Sequence, residues 1–413
     1  MRPITPLAVP TIDGAPAPGV VTVAPVSRVR LHQLDGLRGA AALVVVVFHF
    51  LCAFAPRFAP YPGTLLSVSD GTILGALFNG AFSVSVFFVL SGFVVSNAAA
   101  AGRDSVHVMA ILRYLRLALP ATASVCLAWI LLTELPQAAV SLARLAPSPW
   151  LRWTYQGEIP SGGTALYDGM VGIFVTGGSQ FNNVLWTMRI ELFGSFLLYA
   201  IYAWTRGRTR IVILVVAGVA TAALHRYAYD GFVLGALLRE AWVRNRLAGI
   251  APLGLFCLGL ALGSHAALGT IASAWLGQPH SDTFIARVIV SAGALLPGEA
   301  FEPLAAALVV YGCLCSARLK AILSRPVFRF LGRVSFSLYL VHVPILYTLV
   351  AAAVIASGPL EAPGLGVAVA AFLGLSLVVA WAFCRLVDEP VLDILKALRC
   401  AGAPTRPTWA RGR

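Results

Sequence analysis

Four ionisable side chains lie inside apolar stretches of this sequence: His49, Arg189, Glu191 and His342. Placing such a group in hydrocarbon costs about 2.5–3.5 kcal/mol on insertion scales, so these positions mark ion pairing or chemistry before they mark packing. His49 follows Arg38 by eleven residues. Eleven helical steps close nearly three turns, which puts both side chains on one face, about 16 Å apart along the axis. Arginine grips phosphate through bidentate charge-assisted bonds, and a neutral imidazole can take a proton from an attacking hydroxyl. The pair therefore suits a long ligand with an anionic head and a reactive far end. The same spacing also fits a boundary arginine and a histidine bonded to a neighbouring helix.

Glu191 falls about eight residues into its own apolar run, about 12 Å deep. That matches the depth of His49 from the same side, so the two are expected to meet, the carboxylate orienting the imidazole as in a catalytic triad. The alternative is a local pair with Arg189. Residues two apart on a helix do not face each other, which favours a partner on another helix. Arg113 and Arg116, three apart ahead of Pro120, form either a two-armed anion site or ordinary flanking cations. Ser91-Gly92 permits a close helix approach with a hydrogen bond across it. His225 and Asp230 have an H-x4-D spacing but fall in a short connection, and read as chance. His265, His280 and Asp282 show no metal-ligand spacing, and no metal site is expected. Nucleotide-loop and metalloprotease motifs are absent.

These side chains need elements to carry them. The chain has 413 residues, 59% hydrophobic and 11% charged, with mean hydropathy +0.85. Soluble proteins carry about 25% charged residues, so a soluble globule is excluded. Ten apolar runs approach the length that spans a bilayer, about 20 residues: 38–56, 78–98, 114–134, 184–204, 211–225, 230–242, 248–265, 301–316, 335–356 and 364–386. The sixth and eighth are short, and 284–297 is a possible re-entrant piece. The net charge of +13 suggests nucleic acid only until the cations are placed. With the N-terminus cytoplasmic and ten alternating spans, Arg57, Arg144, Arg152, Arg226 and Arg287 fall outside and Arg189 within a span. The other 24 of the 30 Lys and Arg then fall on the inner side, the positive-inside signature.

The expected fold is thus an all-α polytopic membrane protein of about ten helices, both termini cytoplasmic, with long outer loops at 135–183 and 266–300. Residues 1–30 read as a disordered tail without a signal peptide. Residues 31–391 form the membrane domain and 392–413 a basic tail. The cysteines lie mostly in apolar runs and read as buried small hydrophobes. No internal repeat of the transporter kind is present.

The order of the motifs is more specific than any one of them. Leu34-Asp35-Gly36-Leu37-Arg38-Gly39 running to Phe48-His49 resembles the opening signature of the integral-membrane acyltransferase-3 family. Phe87 to Phe93 resembles its second-span motif, and Arg113-Tyr114-Leu115-Arg116 with Pro120 its R-x-x-R element. Leu185-Trp186-Thr187-Met188-Arg189-Ile190-Glu191 resembles the fourth-span motif, Phe330 to His342 the late Tyr-Leu-x-His motif, and Glu389-Pro390 the closing pair. The resemblance covers about 31–391. After Glu191 the chain departs from the commonest form, which has two adjacent acids and an aromatic. It looks like a subset associated with exopolysaccharide and related surface-sugar modification.

The resemblance implies a cell-membrane O-acyltransferase that takes an acyl group, often acetyl, from cytoplasmic acyl-CoA to a hydroxyl of a sugar, glycan or small molecule. Acyl-CoA is then a co-substrate and no bound cofactor is expected. The partners are the lipid bilayer and a sugar or glycan acceptor, with no nucleic acid. Arg38, Arg113 and Arg116 are expected to hold the donor and His49 to act as general base. Glu191 orients it, and Ser91, Trp186, Tyr339 and His342 line the pocket. A covalent acyl intermediate stays open. No extracytoplasmic esterase-like domain is seen, so transfer is expected within the membrane domain or with a separate partner. The rival reading from another class is a glycan or acyl-group transporter or flippase without transferase chemistry.

Overall fold

In hydrocarbon every backbone N–H and C=O must be satisfied within its own segment, so apolar runs of this length fold as helices. The computed structural model describes residues 31–56, 73–102, 104–145, 148, 150–153, 158–247, 251–264, 300–357 and 362–401. Among them the regular elements are all helical. The main helices are α1 (His32–Phe54), α2 (Gly80–Ala100), α3 (Val106–Glu134), α4 (Trp186–Trp204), α5 (Gly207–Ala223) and α6 (Tyr227–Val243). They continue with α7 (Pro252–Leu262), α8 (Glu302–Cys315), α9 (Pro326–Ile345), α10 (Ala362–Phe383) and α11 (Glu389–Ala401). Every expected run overlaps one of α1 to α10. Six described helices are long and apolar enough to cross a membrane, or seven if Glu302–Cys315 and Ala317–Leu323, bent by 91°, count as one span. α7, with 11 residues, is shorter than a span.

The helices that carry the site are held by close backbone approaches. α1 and α9 run parallel. A Cβ on Gly39 would stand 2.6 Å from the backbone of Leu331 and Gly332, and one on Gly332 would stand 2.3 Å from the carbonyl oxygen of Asp35. Only glycine permits this contact. Gly39 and Gly332 are 293 residues apart, as are His49 and His342. One register therefore runs from the glycine contact to the histidines. α2 and α6 also pack parallel, Gly231 against Phe88 and Gly235 against Val89 and Phe93. α7 and α8 pack antiparallel, Gly259 against Ala305 and Val309, Gly312 against Phe256. These directions agree with alternating spans.

The expected loop 135–183 is not simply a loop. It holds Ala138–Leu145, Trp150–Trp153 and a helical run through Gly162–Tyr167, Asp168–Gly172 and Ile173–Thr176. That run lies back along α3. Trp129 Nε1 donates to the Pro160 carbonyl at 3.0 Å, and Tyr114 donates to that of Met170 at 2.7 Å. Between them Gly169 presses on Thr122. Its glycines and shortness hide it from a search for 20-residue apolar runs. α11 carries the fold past residue 391, with Val391 and Leu395 buried and Arg399 paired to Asp104. The tail 1–30, the segment 284–297, most of 266–300 and residues beyond 401 lie outside the described residues.

Candidate active site

The fourth-span motif enters a helix whose buried face meets α2 and α3. There Glu191 accepts from Ser91 Oγ of α2 at 2.7 Å and pairs with the Arg113 guanidinium of α3. Arg113 Nε also donates to Ser195 Oγ at 2.9 Å, one turn along α4. Three residues on, Arg116 pairs with Asp388 and stacks over Phe336, 4.8 Å from the ring centre. Asp388 ends a π-helical turn, Cys384–Asp388, between α10 and α11. Such one-residue bulges often re-aim a side chain at a functional site.

Of these groups Ser91, Arg113, Arg116, Glu191 and Phe336 line a cavity of about 230 Å³ between α1, α2, α3, α4 and α9, together with Arg38, Phe87, Thr187 and Tyr339. Arg38, Ser91, Arg113, Arg116, Glu191 and Tyr339, six of the nine expected site residues, thus share one chamber. Two expectations are corrected. Glu191 does not bond His49: its two carboxylate oxygens are taken by Ser91 and Arg113. Arg113 and Arg116 are not two open arms, because each already holds a carboxylate. Arg38 is different. It lies within electrostatic reach of Asp35, Glu191, Arg113 and Arg116, yet among the described residues its guanidinium has no recorded hydrogen bond or ion pair. Glu191 does meet partners on other helices, Ser91 on α2 and Arg113 on α3, in place of His49.

Towards the opposite ends of α1 and α9 the chamber wall passes into a polar relay. Thr187 Oγ1 and Tyr339 Oη are 2.9 Å apart, and Tyr339 donates to the Val184 carbonyl at 2.7 Å. One turn along α9, 6.0 Å from the Tyr339 ring, lies His342, fully buried. Its Nδ1 is 3.0 Å from the Leu338 carbonyl and its Nε2 3.0 Å from Nδ1 of His49. A carbonyl oxygen only accepts, so Nδ1 of His342 carries the proton and Nε2 the lone pair. Nδ1 of His49 must then donate, shared between His342 and its own Val45 carbonyl at 2.9 Å. That leaves the second nitrogen of His49, Nε2, as its basic atom. Trp150 packs 5.3 Å from the His49 ring, and His49 stays partly exposed.

Trp186, expected in the pocket, is 43% exposed. It lines a second cavity of about 800 Å³ between α2, α4, α6 and α8, which shares Val84 and Phe88 with the first. The H-x4-D pair does not close. His225 Nδ1 is 2.7 Å from the Tyr227 hydroxyl, and Asp230 accepts from Thr221. Sequence reasoning missed Ser195, Thr187, Asp388 and Trp150. Ser195 was visible one turn after Glu191, and Asp388 beside Glu389-Pro390. Trp150 left no local signal.

What this arrangement offers is a cationic chamber in which, among the described residues, Arg38 is the one lining arginine without a hydrogen bond or ion pair. A histidine pair, His342 buried and His49 partly exposed, lies further along the same two helices with a defined basic nitrogen. The family model described as an acyltransferase domain matches residues 31–385, most of the chain and every residue that lines the chamber, but not Asp388 behind Arg116. No curated protein and no solved structure gives a significant match. Motif order, membrane-length helices and the family match agree: this chain is a multi-pass membrane acyltransferase and belongs to the acyltransferase-3 family.

Proposed function

We propose that the chain transfers an acyl group, acetyl being the simplest, from acyl-CoA to a hydroxyl of a sugar or glycan, with His49 as general base. The observation that carries this reading is the line from Arg38 to His49. An uncommitted guanidinium lies in the chamber, and about 16 Å along the same helix an imidazole is held with its Nε2 lone pair free. An extended pantetheine arm bridges that distance. Arg38 takes the CoA phosphates, and the thioester reaches towards the histidines. Arg113 and Arg116 add positive potential, although their carboxylate partners already use some of their hydrogen bonds.

His49 Nε2 removes the proton of the acceptor hydroxyl as its oxygen attacks the thioester carbonyl. Collapse of the tetrahedral intermediate breaks the C–S bond, and the proton on His49 passes to the departing CoA thiolate. His342 holds the tautomer and shares the charge of the imidazolium, the role first expected of Glu191. Glu191 instead ties α2, α3 and α4 together around the chamber. The donor arrives from the cytoplasmic side of the cell membrane, where both termini lie. Purified protein incubated with radiolabelled acetyl-CoA and a neutral or acidic oligosaccharide should yield an alkali-labile acetyl ester on the sugar. Movement of donor or sugar across a vesicle with no ester formed would establish the transporter reading instead.

A further inference from the structure

The second cavity carries charge that the proposed chemistry does not use. Arg189, in the fourth-span motif, and Arg226, at the start of α6, both line it. Both are exposed into it, and both lie within electrostatic reach of the Tyr229 phenol. Neither has a recorded ion pair among the described residues. Among the described residues Arg189 is held by a single long bond, 3.4 Å, to the Thr176 carbonyl at the left-handed turn of Gly177. Arg226 has no recorded side-chain hydrogen bond among them. One carboxylate, Glu302, shares the cavity and accepts from Ser85 at 3.1 Å.

An arginine inside a span is costly and is kept where it meets an anion or lines a water-filled cavity. The positive-inside arrangement leaves six cations away from the inner side, and two of them converge here. The exposed Trp186 indole supplies an apolar face of the kind on which a sugar ring stacks. From these features we infer that this cavity binds the acceptor and selects an anionic sugar, its carboxylate or phosphate held by Arg189 and Arg226. Planar guanidinium groups grip both anions through paired N–H bonds, which a neutral sugar cannot reproduce. The inference rests on the acyltransferase reading for the identity of the ligand as acceptor. It rests on the cavity alone for the ligand's charge.

The test is calorimetric titration of the full-length protein in lipid nanodiscs with three probes: a glucuronate-containing tetrasaccharide, its carboxyl-reduced neutral counterpart, and a hexose 1-phosphate. At least one anionic probe should bind about tenfold or more tightly than the neutral one, the scale of one lost charge-assisted bond. The stronger of the two anionic probes tells carboxylate from phosphate. Arg189→Gln and Arg226→Gln should each shrink the preference, and Arg189→Lys should keep part of it. Elution as a single species and unchanged acetyl-CoA binding establish that each variant is folded. Equal binding of all probes, no binding of any, or a preference that survives both glutamine variants overturns the inference. Acetyl transfer to neutral sugars alone would sink the anionic selectivity and leave the transferase standing. Selective anion binding with no acetyl transfer would do the reverse.

Discussion

His342 is the residue whose role changes most between sequence and structure. It stands in sequence as one buried histidine at the end of a motif. In the fold it fixes which nitrogen of His49 can accept a proton. His342→Gln should therefore lower the turnover rate while leaving acyl-CoA affinity near wild type, and should shift the acid limb of the pH–rate profile. A residue that only packs would lower stability without moving that limb. Arg38 allows an equally sharp test. Charge-assisted bonds contribute about 1.5–3 kcal/mol, so Arg38→Ala should weaken acyl-CoA binding about 10- to 150-fold. The comparison is Asp388→Asn, which frees Arg116 and should not weaken binding at all. Donor affinity unchanged in Arg38→Ala would return that arginine to the role of a boundary cation.

At the scale of elements, the site depends on one helix register. α1 and α9 meet through Gly39 and Gly332, and the same offset brings His49 to His342 ten residues further on. A leucine at Gly39 would drive its Cβ into backbone atoms 2.6 Å away. Overpacking costs about 1–3 kcal/mol even where side chains can yield, and backbone yields less. Gly39→Leu should thus lower the unfolding temperature and abolish transfer. Gly374→Leu, where nothing lies within 4 Å on α10, should do neither. This register is the kind of fact a single sequence conceals. The apolar runs that became α1 to α10 were legible because length and hydropathy alone force helices in lipid. So were Arg189 and Glu191, because their presence in such a run is costly. Which histidine meets which was not, since it depends on a contact between segments 293 residues apart. The run along α3 was hidden for a different reason: Gly162, Gly163, Gly169 and Gly172 interrupt the pattern that marks a span, and tertiary packing overrides their poor helix propensity.

On the scale of the whole molecule, the positive-inside reading assigns the charges to two sides of the membrane. Arginine-rich ends collect around Arg38, Arg113 and Arg116, while the second cavity opens beside the connection at His225 to Tyr229. Single cysteines placed at Ser161 and Ser324 in a chain cleared of its seven native cysteines check this division. A membrane-impermeant maleimide added to intact cells should label position 161 and spare position 324. The reverse pattern would invert the topology and with it the side from which the donor comes. The central claim is narrower and meets its most direct test in single-turnover kinetics of His49→Gln with radiolabelled acetyl-CoA and a glycan acceptor. General-base removal costs about 10²–10⁴ in rate. The variant should bind the donor as wild type does and form the acetyl ester at least about a hundredfold more slowly. Ester formation at the wild-type rate, with donor bound, would contradict His49 as the base.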